Sequence, residues 1–297
     1  MSKNTIFRGS GVAIVTPMNN DGSINYEVMG NLIDFHLENN TDAIIVCGTT
    51  GESATLSDSE HNDLIKFTVK KVNGKIPVIA GSGSNNTAHA IELSKHAENL
   101  GADALLVVTP YYNKTSQSGL IKHFNSIADS VNIPIILYNV PSRTGCSIKP
   151  QTCLELAKHK NICAVKEASG NISTVAEIAA LCGDSLDIYS GNDDQIVPLL
   201  SLGGVGVISV LANVCPKETH DIVNEYLNGN VNESKKLQLK YLNLINALFS
   251  DVSPIPVKEA LNLMGFNCGK CRLPLDSMSK DGHEKLKDIM EKYSLIK

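Results

Sequence analysis

Nearly continuous apolar runs recur along the first two thirds of the chain. They read VAIVTP at 12–17, DAIIVCG at 42–48, PVIAGSG at 77–83 and ALLVVTP at 104–110. The series continues with PIILYNV at 134–140, ICAVKEAS at 162–169, DIYSGND at 187–193 and GVGVISV at 204–210. Runs without in–out alternation are expected of strands covered on both faces. The stretches between them are amphipathic and carry helix-boundary signals. Ser57 and Glu60 form a capping box. Gly101 and Gly183 follow the stretches 87–100 and 172–182 as C-terminal stops. Pro150 suits a first helical turn. Successive strand-then-helix units with no hairpin signal predict an α/β fold, a closed (β/α)8 TIM barrel. An open doubly wound sheet is the alternative, but the first strand lacks the G-x-G-x-x-G turn such sheets usually carry. Beyond residue 212 the strand signals stop, and the rest reads as helices broken near Gly229, Ser253-Pro254 and 269–274. The expected organisation is a barrel over 1–228 and a C-terminal helical extension over 229–297, packed on one side.

The 42% hydrophobic content of the 297 residues supports one large core. Net charge is −5 and no Lys/Arg block stands out, which argues against a nucleic-acid partner. The opening MSKNTIFRGSGVAIVTP has no leader-like h-region. No apolar run reaches the roughly 18 residues of a membrane span. No membrane association and a cytoplasmic location are therefore expected. The eight cysteines fall mostly in apolar runs and read as buried, reduced thiols. One C-x-x-C occurs, Cys268 to Cys271, without the second ligand pair that zinc needs; it reads as a local coincidence rather than a redox or metal motif. The scattered histidines predict no metal site.

In a barrel of this kind the active site forms at the C-terminal ends of the strands. Polar candidates there are Thr16, the turn from Gly48 to Glu52, Tyr111, Tyr112, Tyr138, Lys166, Gly191 and the backbone near Ile208. Lys166 is the most informative. It shares a strand face with Ala164 and Ala168, so it points into the barrel. Burial disfavours the ammonium, and a neutral amine is what attack on a ketone requires. The competing reading is a lysine paired with a buried carboxylate, but strand alternation turns Glu167 to the other face. Tyr138 ends the preceding strand and can shuttle protons beside Lys166; a core tyrosine with a satisfied hydroxyl is the plainer alternative. The 48–52 turn offers backbone N–H groups and two hydroxyls that suit a small carboxylate, while Glu52 makes a phosphate less natural. Arg143 can hold a carboxylate bidentately, or it is a solvated loop arginine.

The segments GVAIVTPM, GTTGESATL, PVIAGSG, VTPYYNK, LYNVPSRTG, VKEASGN and SPIPVKEAL stand in the order seen in dihydrodipicolinate synthases, and the chain resembles that family over essentially its whole length. The wider superfamily, which includes N-acetylneuraminate lyases, shares the turn, the tyrosine and the lysine; the arginine of YNVPSRT singles out the family. The resemblance implies that Lys166 forms an imine with pyruvate and that Tyr138, Thr49 and Tyr112 make a proton relay. Thr50 and the Ile208 backbone would bind the pyruvyl group. Gly191 would leave space beside the imine, and Arg143 would orient the carboxylate of L-aspartate 4-semialdehyde. It implies no cofactor beyond the covalent imine, entry to diaminopimelate and lysine biosynthesis, and a homotetramer whose second relay tyrosine crosses the tight-dimer interface. A sugar-acid lyase and a non-catalytic binding protein on the same fold are the competing readings.

In lysine-sensitive members the resemblance also places an effector pocket at the tight-dimer interface, away from the barrel. Ser53, Ala54, His61, Asn85 and Tyr111 match it. His89 stands where a glutamate is found, and Asp58 where a histidine is found. With Asp58 expected at a different edge of the pocket, weak or absent feedback by L-lysine is the expectation.

Overall fold

In the computed structural model residues 4–297 are described; the first three residues, part of the segment read for a leader, lie outside them. The eight strands form one closed parallel barrel in sequence order. They are β1 (Gly9–Ala13), β2 (Ala43–Val46), β3 (Val78–Gly81), β4 (Ala104–Val108), β5 (Ile135–Asn139), β6 (Ile162–Glu167), β7 (Asp187–Ser190) and β8 (Gly206–Ser209). β1 closes the ring against β8, with Gly9 opposite Gly206 and Val12 opposite Ser209.

The helices are α1 (Tyr26–Glu38), α2 (Asp58–Val72), α3 (Thr87–Asn99), α4 (Gln117–Ala128), α5 (Pro141–Thr144) and α6 (Pro150–Leu156). They continue as α7 (Ile172–Cys182), α8 (Ile196–Leu200), α9 (Pro216–Leu227), α10 (Val231–Leu248), α11 (Ile255–Leu263) and α12 (Lys280–Lys292). The capping box at Ser57 and Glu60 starts α2, Pro150 opens α6, and α7 ends at Gly183. The barrel interior holds Ile45, Ile79, Leu106, Ile136, Ala164 and Ile208, while alternate residues such as Ile44, Val46, Leu105 and Val165 pack under the helices. This two-sided burial is why the strands read as unbroken apolar runs.

β1 begins and ends earlier than its apolar run. The strand opens with Gly9-Ser10-Gly11, which pair with β8 and carry no hydrophobic signal, and only its last two residues, Val12 and Ala13, belong to the apolar run. Their smallness has a steric reason: a Cβ on Gly11 would lie 2.6 Å from the Ile45 side chain and 2.8 Å from the Phe7 ring. Phe7 closes the barrel floor, stacked on Tyr189 at 4.4 Å, and the Tyr189 hydroxyl donates to the Phe7 carbonyl at 2.6 Å.

α9 and α10 pack together across a turn at Gly229, whose φ is +87°. α11 and the segment up to α12 reach the mouth of the barrel, where Lys258 and Arg272 contact the turn after β2. Among the described residues no helix is long and apolar enough to cross a membrane.

Candidate active site

β5 and β6 set the centre of the site. They pair with Tyr138 opposite Lys166. Both side chains face the interior and both are buried, and the Lys166 Nζ lies 4.4 Å from the centre of the Tyr138 ring. The pairing expected from strand order is thus observed. Glu167 faces the other way, as alternation requires. It accepts a 2.7 Å hydrogen bond from the Asn139 side chain and another from the Ser169 N–H, so it is not an ion-pair partner of Lys166. Burial pushes the Glu167 carboxyl up, and these two hydrogen bonds pull it back.

Gly191 follows β7 and covers the lysine stem. A Cβ there would stand 2.5 Å from the Ala168 Cβ and 3.1 Å from the Lys166 Cε, so only glycine leaves room beside the amine. Ile208 shares the interior cluster with Tyr138 and Tyr189. Thr50 is buried at the C-terminal end of β2, and Thr49, beside it, lines an adjoining cavity.

That cavity, of about 460 Å³, opens above Tyr138. Its wall includes Thr49, Tyr138 and Arg143, while Lys166, Thr50, Gly191 and Ile208 lie outside the wall. Arg143 sits on α5, a single turn held by several hydrogen bonds: Asn139 accepts from the Ile148 N–H at 3.0 Å, and Thr109 donates to Thr144 at 3.0 Å. Arg143 is exposed, and its Nη2 donates to the Ser253 carbonyl at 3.3 Å, which holds the guanidinium at the cavity lip. Tyr112 is not brought to the site within one chain. It is 92% exposed, with φ at +68°, while its neighbour Tyr111 lines the cavity.

The turn after β2 differs from its sequence reading in one respect. Glu52 does not bear on an anion at the turn. It lies in the left-handed region at φ +57° and sends its carboxylate down into the protein. There Lys258 Nζ donates to Oε1 at 2.7 Å and the Arg272 N–H donates to Oε2 at 2.8 Å. The Lys258 and Glu52 side chains are 2% and 0% exposed. Thr16 donates to the Gly51 carbonyl at 2.7 Å and completes the anchoring. The Arg272 guanidinium also pairs with Glu60, whose carboxyl it holds down at about 2.

The residues matched to an effector pocket line the same cavity as Tyr138 and Arg143: Ser53, Ala54, His61, His89 and Tyr111, with Asn85 donating to the Tyr111 carbonyl at 3.2 Å. Within one chain this pocket is therefore continuous with the site. Asp58 is not at a different edge. Its Oδ1 lies 3.2 Å from the His89 Nε2, because the start of α2 and the start of α3 are neighbours at the cavity rim.

A sequence model described as the dihydrodipicolinate synthetase family matches residues 6–293. The chain belongs to this family. A relative named 4-hydroxy-tetrahydrodipicolinate synthase, from Caldicellulosiruptor saccharolyticus, is 62% identical over 290 residues, 98% of each chain. The dihydrodipicolinate synthase structure from Aquifex aeolicus superposes with a TM-score of 0.95 at 45% identity, over 97% of this chain and 99% of that one. A family structure from Cyanidioschyzon merolae, described as having lysine bound, gives a TM-score of 0.96 at 41% identity over 99% and 100% of the two chains.

Two buried ionisable residues near the barrel mouth were not singled out from sequence. Lys258 lay in the quoted SPIPVKEAL segment, and its signal is a charged residue on the apolar face that also carries Val257 and Leu261. Asp193, at the edge of the seventh apolar run, had no comparable signal. Cys47, Cys146, Cys153, Cys215 and Cys268 are buried thiols and Cys271 is half-buried, and burial pushes Cys268 and Cys271 each up to about 12.

Proposed function

We infer that the chain is a lyase that condenses pyruvate with L-aspartate 4-semialdehyde through a Schiff base on Lys166, giving 4-hydroxy-tetrahydrodipicolinate on the route to diaminopimelate and lysine. The observation that carries this is a buried lysine amine over the ring of the paired Tyr138, in a chain that shares 62% identity with a synthase of that name. Neutral Lys166 Nζ attacks C2 of pyruvate. The carbinolamine loses water to give the iminium, and loss of a C3 proton gives the enamine. The enamine carbon then attacks the aldehyde. The amino group of the bound semialdehyde closes the ring by displacing Lys166 from the same C2 carbon, which returns the free amine.

Each step moves a proton within reach of Lys166, and the Tyr138 hydroxyl is the group proposed to carry it, with Thr49 as the next hydroxyl. Thr50 and the Ile208 backbone are proposed to receive the pyruvyl group. Arg143, fixed at the cavity lip, is proposed to receive the semialdehyde carboxylate. The covalent imine takes the place of a cofactor. Tyr112, fully presented to the outside, is proposed to complete the relay of a neighbouring subunit in a homotetramer built from tight dimers. Residues 229–297 are proposed to act as an extension that braces a barrel formed by 1–228, and the enzyme to work in the cytoplasm.

Pyruvate followed by borohydride tests the reading. One reduced adduct per chain, mapped to Lys166 and absent from Lys166→Ala, is expected. An adduct on another lysine refutes the assignment. Mixing Tyr112→Phe and Lys166→Ala subunits should restore activity in hybrid dimers, and no recovery in demonstrated heterodimers refutes the shared relay.

A further inference from the structure

Asp193 is a buried carboxylate at the junction of the three parts of the site. It follows Gly191, the residue that covers the Lys166 stem. It is 2% exposed. Its Oδ2 accepts from the Val210 N–H at 3.0 Å and the Leu211 N–H at 2.9 Å, just past Ile208 on β8. Its own carbonyl accepts from the Gln238 side chain of α10 at 2.8 Å, which fixes the residue from behind. The other oxygen, Oδ1, is buried and makes no hydrogen bond of good geometry, although the Ser209 hydroxyl is near enough to the carboxyl to lower it. A buried acceptor left open costs free energy unless a donor or a charge answers it. Burial pushes this carboxyl up; Ser209 and the two amides pull it down, and a positive charge placed at Lys166 pulls it down further.

Imine formation changes the charge balance inside the barrel mouth. The amine and the ketone combine with one proton to give an iminium and water, so a fixed positive charge appears where a neutral amine stood. The other buried carboxylates near the mouth are committed: Glu52 to Lys258, and Glu167, on the outer face, to Asn139 and Ser169. We propose that Asp193 is a positioning residue of this site, whose carboxylate pins the end of β8 beside Ile208 and supplies the fixed negative charge that offsets the Lys166 iminium. Preorganised charge of this kind acts without reorganisation at the moment of reaction. The proposal rests on the Schiff-base reading above.

The test compares wild type, Asp193→Asn and Ser209→Ala as full-length enzyme. The rate of borohydride-trapped adduct formation with pyruvate is read by intact mass, beside kcat, KM for both substrates and melting temperature. Asp193→Asn keeps the shape and one acceptor but removes the charge. Trapping and kcat should each fall about tenfold or more, with the KM for semialdehyde, which Arg143 governs, within about twofold of wild type. A merely structural role would lower the melting temperature and move both KM values while leaving the trapping rate per folded site unchanged. Trapping and kcat within about twofold of wild type overturn the proposal. If Asp193→Asn does not fold, Ser209→Ala decides: slower trapping at unchanged melting temperature supports the proposal, and wild-type trapping overturns it. A wild type that gives no adduct at Lys166 refutes the Schiff base itself and the proposal with it.

Discussion

Lys258→Met should uncouple the C-terminal extension from the turn that carries Thr49 and Thr50. The pair it removes is 2.7 Å long, with side chains 2% and 0% exposed, so solvent screens it little. Removing one partner of a buried ion pair costs about 3–5 kcal/mol because the other charge is left uncompensated. Here Glu52 keeps the Arg272 N–H at 2.8 Å, which places the loss near the lower end, about 3 kcal/mol. At about 2–4 °C per kcal/mol for a chain of this class, melting should fall by roughly 6–12 °C. Glu52→Gln should cost a similar amount, since it removes the negative charge that answers the Lys258 ammonium and leaves it neutral acceptors such as the Lys270 carbonyl at 2.9 Å. The double variant should lose clearly less than the sum, with a coupling of about 1–3 kcal/mol. The assay is thermal and urea unfolding of all four proteins, followed by kcat on the folded fractions. The turn is released in every variant, so kcat should fall in each. A Lys258→Met enzyme that melts within about 2 °C of wild type, or strictly additive single variants, would show that the pair does not anchor the turn.

Arg143→Ala should still form the pyruvate adduct at normal yield while turnover with semialdehyde falls by about tenfold or more; near-normal turnover removes the role assigned to the arginine. Glu60 gives a pH dependence. Its folded carboxyl is held at about 2, below its ordinary value of 4.5, by Arg272. A depressed carboxylate stabilises the protein above its unfolded value, so this contribution is present above about 4.5 and is lost as pH falls toward 2. Melting curves across that window should therefore be less steep in pH for Glu60→Gln than for wild type, and identical slopes refute the assignment. Thiol labelling of the native enzyme at neutral pH should be slow, because Cys271 is half-buried and pushed up to about 12; rapid single-site labelling there contradicts the burial.

The barrel was legible because its physics is periodic. Strands covered on both faces give apolar runs, and capping residues mark the helices between them, so Ser57, Pro150 and Gly183 stood where sequence reasoning placed them. β1 was displaced because close packing at the barrel floor demands glycine, and glycine looks like a turn when read locally. Lys166 and Tyr138 were legible for the same reason as the strands: alternation says which way a side chain points, and strand order says what it meets. The Glu52–Lys258 pair was not, since 206 residues separate its partners and no local pattern encodes a contact at that range. Glu52 read from its own turn looks like a group repelling anions. Only the distant lysine shows that the charge is spent elsewhere.

Asp58 and His89 show the same limit and alter the reasoning about L-lysine. Taken singly, each departs from the pattern of lysine-sensitive members, and the aspartate was expected too far from the histidine to compensate. The two are 3.2 Å apart, an acid and an imidazole in exchanged positions. Distance therefore does not make the compensation weak. Exposure within one chain does: there the Asp58 side chain is 70% exposed and that of His89 38%, and pairs at such a rim contribute about 0–1 kcal/mol. An ammonium drawn to Asp58 stays largely hydrated, whereas a glutamate at position 89 would meet it against the cavity wall formed by Leu56, His61 and Ser84. Inhibition by L-lysine should accordingly be weak. His89→Glu should strengthen it, and Asp58→Asn should change it little. Steady-state rates at saturating and limiting pyruvate with L-lysine in the millimolar range measure all three. Clear inhibition of the wild type at sub-millimolar L-lysine, abolished by Asp58→Asn, would mean that the exposed aspartate binds the ammonium and that solvent screening at the rim has been overestimated.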